Sequence, residues 1–214
     1  LKKFELTAES KINIFGKKLF RIKALISFGD VKEGETGGWV EKEENLEQSS
    51  GNAWVYGDAE VYGNAWVSGN AWVYGDAEVY GNAWVYGDAK VSGNAEVYGN
   101  ARVYGDARVS GDAEVYGNAR VSGDARVSGD AMVSGNAEVY GNADYTTIRG
   151  FGTQFRATTF FRCKDKQIRV SCGCFFGTIS EFREQVKNTR KGKIAEEYLM
   201  IADLMEKHFA EEAK

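Results

Sequence analysis

From Gly51 the chain runs in units of six residues, GNAWVY GDAEVY GNAWVS, without an insertion through Thr146. Sixteen units fill these 96 residues; Gly opens every unit, Asn or Asp follows, Ala is third, and Val is fifth in all but the last, where Tyr145 stands. A repeat this short cannot enclose a core by itself and must stack on its neighbours. Within a unit, Ala-x-Val-Tyr/Ser alternates small-in, variable-out, apolar-in, polar-out, the period of a half-buried strand. Gly-Asn/Asp supplies the residue types that most readily enter left-handed backbone, so each unit ends in a corner. The units are therefore expected to wind about one axis with Ala and Val inside.

The outward residues indicate how many units make a coil. In triplets, the fourth positions read Trp54-Glu60-Trp66, Trp72-Glu78-Trp84, Lys90-Glu96-Arg102, Arg108-Glu114-Arg120 and Arg126-Met132-Glu138. The middle column is Glu four times running, and Asn64, Asn82, Asn100, Asn118 and Asn136 recur at one corner. Columns at 18-residue spacing are expected of a three-sided coil, and duplication of an 18-residue segment would reinforce the same pattern. The pattern resembles the left-handed parallel β-helix of hexapeptide repeats, three per coil. The expected fold is mainly β, with a small N-terminal β cap and a C-terminal α+β cap.

Three segments follow: a cap with a degenerate first coil at 1–50, about five coils at 51–146, and a terminal unit at 147–214. In the first, Phe4 to Leu6, Ile12 to Phe15 and Leu19 to Ile26 read as strands, and Gly37-Gly38-Trp39-Val40 followed by Leu46 reads as the degenerate coil. In the last, Thr158 to Lys164 and Ile168 to Phe176 form a hairpin. Thr178 with Glu181 is a capping box opening a helix to about Thr189. A second helix is expected from about Ile194 to Ala210, with Ile194, Tyr198, Ile201, Leu204, Met205 and His208 on or near its apolar stripe.

Composition narrows the chemistry. The one His, His208, removes reactions that need several imidazoles, and three Cys argue against a disulfide framework and for a reducing compartment. No apolar run approaches a membrane span, and no leader pattern opens the sequence, so a cytoplasmic protein is expected. The repeat carries 13 acidic and 5 basic residues, which argues against a direct nucleic-acid partner. The basic columns, Lys90, Arg108 and Arg126 with Arg102 and Arg120, have Asp88, Asp106 and Asp124 two residues before the first of them, so neutralisation within each coil is expected.

The candidate binding residues lie on the coils. Glu60, Glu78, Glu96 and Glu114, flanked by Tyr62, Tyr80, Tyr98 and Tyr116, form a repelling carboxylate column suited to a cation or a basic surface; a solvated face is the plainer reading. Trp54, Trp66, Trp72 and Trp84 point outward on the first two coils, where they form an aromatic patch unless the N-terminal segment covers one face. Cys163, Cys172 and Cys174 with His208 could make a zinc set, but their spacing matches no standard site and free thiols are the simpler reading. No catalytic residue and no cofactor is expected.

The segment FRIKALISFGDVKEGETGGWVEKEENLEQSSGNAWVYGDAEVYGNA resembles the lead of bacterial and prophage-encoded hexapeptide-repeat proteins. The stretch TTFFRCKDKQIRVSCGCFFGTISEFREQVK is similar to the tail of phage-associated members. Some of that group carry an acyltransferase label on fold alone, and the resemblance supplies no catalytic residues. It implies a β-helix and a phage setting in a bacterial host cell. The reading that follows is a non-enzymatic binding or scaffold protein with a protein partner, such as a component of a host system it inhibits. Its oligomeric state is left open, with dimer and trimer both allowed. The alternative is an acyl-CoA-dependent acyltransferase, against which stand the lack of His and of any inserted loop within the repeats.

Overall fold

In the computed structural model, which describes residues 2–210, each of the first fifteen six-residue units contributes a two-residue strand such as Glu96–Val97. Strands 18 residues apart pair in parallel as far as Glu138–Val139, giving a triangular β-solenoid. Trp54, Trp72, Lys90, Arg108 and Arg126 stack on the first face. Glu60, Glu78, Glu96, Glu114 and Met132 stack on the second. Trp66, Trp84, Arg102, Arg120 and Glu138 stack on the third. The columns read from the sequence are thus the physical columns of the prism.

The inward residues leave no room for variation. Every Ala and Val at the third and fifth positions from Ala71 to Val139 is 0% exposed, and they form one continuous core. The corners explain the glycine. Gly93 has φ +70°, and a Cβ there would lie 3.0 Å from the backbone nitrogen of Gly111 in the next coil. A side chain would be opposed by both the left-handed backbone and the close stacking of corners.

Three antiparallel-linked strands close the first end: β1 (Phe4–Ile12), β2 (Lys18–Ala24) and β3 (Thr36–Val40). They extend the sheet of the second face, because β3 pairs in parallel with Glu60–Val61, setting Trp39 beside Glu60. Leu46 bridges to Val67 on the third face. Phe4, Ile22, Ala24 and Val31 continue the core over the open end.

The cap departs from expectation at its tip. β1 continues past Leu6 to Ile12 through an irregularity between Leu6 and Ser10, and residues 13–15 are a turn, not a strand. The Asn13 carboxamide oxygen accepts from the amides of Phe15 and Lys17, at 3.1 and 3.0 Å. An Asx-type turn thereby outcompetes the extended conformation that apolar residues there suggested.

At the other end, strands Tyr145–Ile148, Thr158–Arg162, Ile168–Cys172 and Phe175–Thr178 make one antiparallel sheet in that order. Successive residues face opposite ways. Phe161 therefore enters the solenoid core while Phe160 enters a second core under the helices. Helix α1 (Ile179–Thr189) starts at the expected capping box: Thr178 Oγ1 accepts from Glu181 N at 3.2 Å, and Glu181 Oε2 accepts from Thr178 N at 2.7 Å.

Helix α2 (Gly192–Phe209) buries Tyr198, Ile201, Ala202, Met205 and Phe209. Leu204 and His208 are exposed, contrary to the expected stripe, because the buried face of the helix runs through Tyr198, Ile201, Ala202, Met205 and Phe209 and both residues lie beside it. No helix among the described residues is long and apolar enough to cross a membrane.

Candidate binding surfaces

The second face and the corner after it form a hydrogen-bonded ladder. Tyr62, Tyr80 and Tyr98 stack face to face at 5.0 and 4.9 Å, with Tyr116 continuing the stack. The first three phenols reach forward one coil: Tyr62 donates to Glu78 at 2.7 Å, Tyr80 to Glu96 at 2.7 Å and Tyr98 to Glu114 at 2.9 Å. Glu60, first in the column, has no Tyr before it. It instead accepts from Asn13 at 3.0 Å and pairs with Lys11 at 2.8 Å, both from the N-terminal cap.

Burial holds the Glu78 carboxyl above its usual range, with Glu60 and Glu96 acting the same way and the Tyr62 phenol opposing them. Burial, then the carboxylate it donates to, pushes each phenol of Tyr62, Tyr80 and Tyr98 upward. Repulsion in the column is thus offset by charge-assisted hydrogen bonds within the chain. The sequence shows both columns, but the forward reach of tyrosine between coils emerges only from the corner geometry.

The four tryptophans do not make one patch. Trp54 is 0% exposed, because the N-terminal cap closes over it: Phe4 and Phe28 meet its ring edge-on at 6.1 and 5.4 Å. Tyr62 is likewise only 4% exposed, packed with Leu19 and Trp39. Neither residue can serve as a contact on a binding surface. Trp72, half-buried, lies between Tyr56 and the Lys90 ammonium, the latter 4.4 Å from the ring centroid.

The third face keeps its aromatic residues accessible. Trp66 and Trp84 pack edge-to-face at 5.6 Å, and Trp84 is 40% exposed. The Arg102 guanidinium lies 4.9 Å over the Trp84 ring. Tyr86 and Tyr104 stack at 4.9 Å along one edge of this face. Along the other edge, the carboxamides of Asn64, Asn82, Asn100 and Asn118 each donate to the next, at 3.1 to 3.4 Å, ending on Asn136. Arg120 pairs with Glu138 at 3.6 Å near the C-terminal end.

The expected neutralisation of the first basic column is not found: Lys90, Arg108 and Arg126 are absent from the ion pairs among the described residues. The zinc set does not assemble either. Cys163 lines the solenoid core, where burial pushes its thiol up to about 11, and Cys172 packs against the helix core. Cys174 is exposed, and His208 lies on α2 against Phe209. Among the described residues no group of three or more His, Cys, Asp or Glu could hold a metal ion.

No curated protein matches the chain. A family model described as YdcK Beta solenoid repeat matches residues 59–75, 89–111, 101–114, 113–129 and 125–141. Every matched stretch falls inside the six-residue units, so the similarity is to the repeat and not to the two caps. Stacked parallel sheets and this match together make the chain a β-solenoid repeat protein.

Proposed function

We propose that this protein is a non-enzymatic scaffold whose third face binds a protein partner. The accessible Trp84–Arg102 pair carries this reading. It combines an aromatic surface and a delocalised cation, the two side-chain types most often dominant in protein interfaces, on a frame of continuous sheet. Flanking stacked tyrosines and a hydrogen-bonded asparagine ladder hold the edges of that surface in fixed positions, which lowers the ordering cost of association. The partner fits the bacterial host setting that the resemblance of the lead segment implies, with inhibition of a host system as the expected consequence.

The test is affinity capture from a bacterial lysate with wild type and the Trp84→Ala/Arg102→Ala variant, both checked for folding by circular dichroism. One protein held by wild type and lost by the folded variant is the expected result. Equal capture by both, or none by either, overturns the third face as the site. Turnover of an acyl-CoA thioester by wild type would replace the scaffold reading with an enzymatic one.

A further inference from the structure

The first face carries two charged columns of opposite sign that form no ion pair with each other. Asp88, Asp106 and Asp124 occupy the corner that leads into the face, and Lys90, Arg108 and Arg126 follow two residues later on its strands. Alternation about the buried Ala between them places both columns outside. None of these six residues belongs to an ion pair among the described residues. The Lys90 ammonium lies over Trp72, and Asp88 accepts from Asn70 at 3.0 Å.

Strand register sets Lys90 beside Arg108 and Arg108 beside Arg126, so the cationic column repels itself along its length. The first two coils of this arrangement wall an open trough of about 430 Å³ that reaches from Asp30 past Trp72 to Arg108.

We propose that a second copy of this chain occupies this face, forming a symmetric dimer with the two solenoid axes parallel. A two-fold axis lying along the solenoid direction exchanges left and right across the face and leaves height along the prism unchanged. It lays the aspartate column of each copy on the cationic column of the other, coil by coil: Asp88 opposite Lys90, Asp106 opposite Arg108, Asp124 opposite Arg126. A two-fold axis across the prism would set aspartate on aspartate, so the charge pattern selects the parallel arrangement.

The other faces lack such a pattern. On the second, Glu78, Glu96 and Glu114 are held by tyrosine hydroxyls and Glu60 by Asn13 and Lys11, and the third ends in its own Arg120–Glu138 pair. The dimer leaves the third face free, so it stands or falls separately from the scaffold reading.

The test measures mass by light scattering on three proteins: wild type, Asp88→Lys/Asp106→Lys/Asp124→Lys, and Lys90→Glu/Arg108→Glu/Arg126→Glu. Wild type is expected at twice the 23.6 kDa chain mass, shifting to monomer at an ionic strength of about 1 M, where the screening length falls to about 3 Å. Each triple variant alone is expected to be monomeric, with the circular dichroism of wild type. Mixed in equal amounts, the two variants are expected to form a heterodimer, because each now presents a face of one sign.

A monomeric wild type at all concentrations overturns the proposal. So does a wild-type dimer that persists in either variant, or a pair of folded variants that fail to recombine. If a variant does not fold, single substitutions Asp106→Lys and Arg108→Glu repeat the exchange at the central coil.

Discussion

At the scale of residues, the glycine corner and the tyrosine–glutamate rung are where sequence becomes energy. Gly93 and Gly129 have nearly the same backbone, φ +70° and +67°, but only Gly93 has another corner stacked against it; nothing lies within 4 Å of a Cβ at Gly129. Gly129→Ala is expected to cost the left-handed strain alone, about 1–2 kcal/mol. Gly93→Ala should cost clearly more, and urea unfolding of the two variants measures the difference; equal losses would remove the stacking argument. The left-handed corner was legible from the Gly-Asn/Asp pair that opens all sixteen units, whereas the stacking cause was not, because it depends on the neighbouring coil.

The rung gives a pH prediction. Glu78 binds its proton more tightly folded than unfolded, so its contribution to stability is present below the ordinary glutamate range and lost as pH rises through the raised folded value. Glu78→Gln keeps an oxygen to accept from Tyr62 and removes the charge. It should be as stable as wild type or slightly more so at pH 7, an advantage that disappears toward acid. A marked loss of melting temperature at pH 7 would show that the ionised carboxylate is needed.

At the scale of elements, the two caps differ in how much of them could be read in advance. Helix α1 was legible to within a residue or two because Thr178 and Glu181 carry a local signal that needs no tertiary partner. The turn at residues 13–15 was not, since apolar residues there compete with the Asn13 side chain for the backbone. That the N-terminal segment could cover one tryptophan face was legible, but not that it would bury Trp54, which depends on Phe4 and Phe28 arriving from 50 and 26 residues earlier.

The same N-terminal cap buries Lys3, 3% exposed, with its ammonium donating to Ala53 O at 3.2 Å and lying 4.7 Å from the Phe28 ring centroid. Burial lowers its pKa from 10.5 to about 8, with Glu47 opposing. Between these values the unfolded chain binds more protons than the folded one, so the contribution of Lys3 to stability improves as pH rises from about 8. Above about 10 the tyrosines, with raised folded values, act in the opposite direction. Chemical denaturation at pH 7, 8.5 and 9.5 should show a rise in wild type that is absent from Lys3→Met; identical slopes would mean that the ammonium remains solvated.

At the scale of the whole molecule, stability is distributed along one axis, and each coil contacts chiefly the coils before and after it. The period that matters to the backbone is six residues, whereas the period that matters to the side-chain columns is 18. Excising residues 87–104 removes one full coil and joins Tyr86 to Gly105, so Glu114 falls under Glu78 and Arg108 under Trp72. Excising only 87–92 keeps the corners but advances every later unit by one face. Glu96 then stacks under Trp72, Arg102 under Glu78, and the Tyr80 phenol loses its carboxylate.

The 18-residue deletion is therefore expected to unfold cooperatively near the wild-type melting temperature, with a smaller denaturant slope in proportion to the surface removed. The six-residue deletion, although it takes out a third as much chain, should melt lower. If both deletions melt alike, the ladders of tyrosine, glutamate and asparagine are ornaments on a backbone that is stable without them. If the shorter one is the weaker, the columns hold the coils in register.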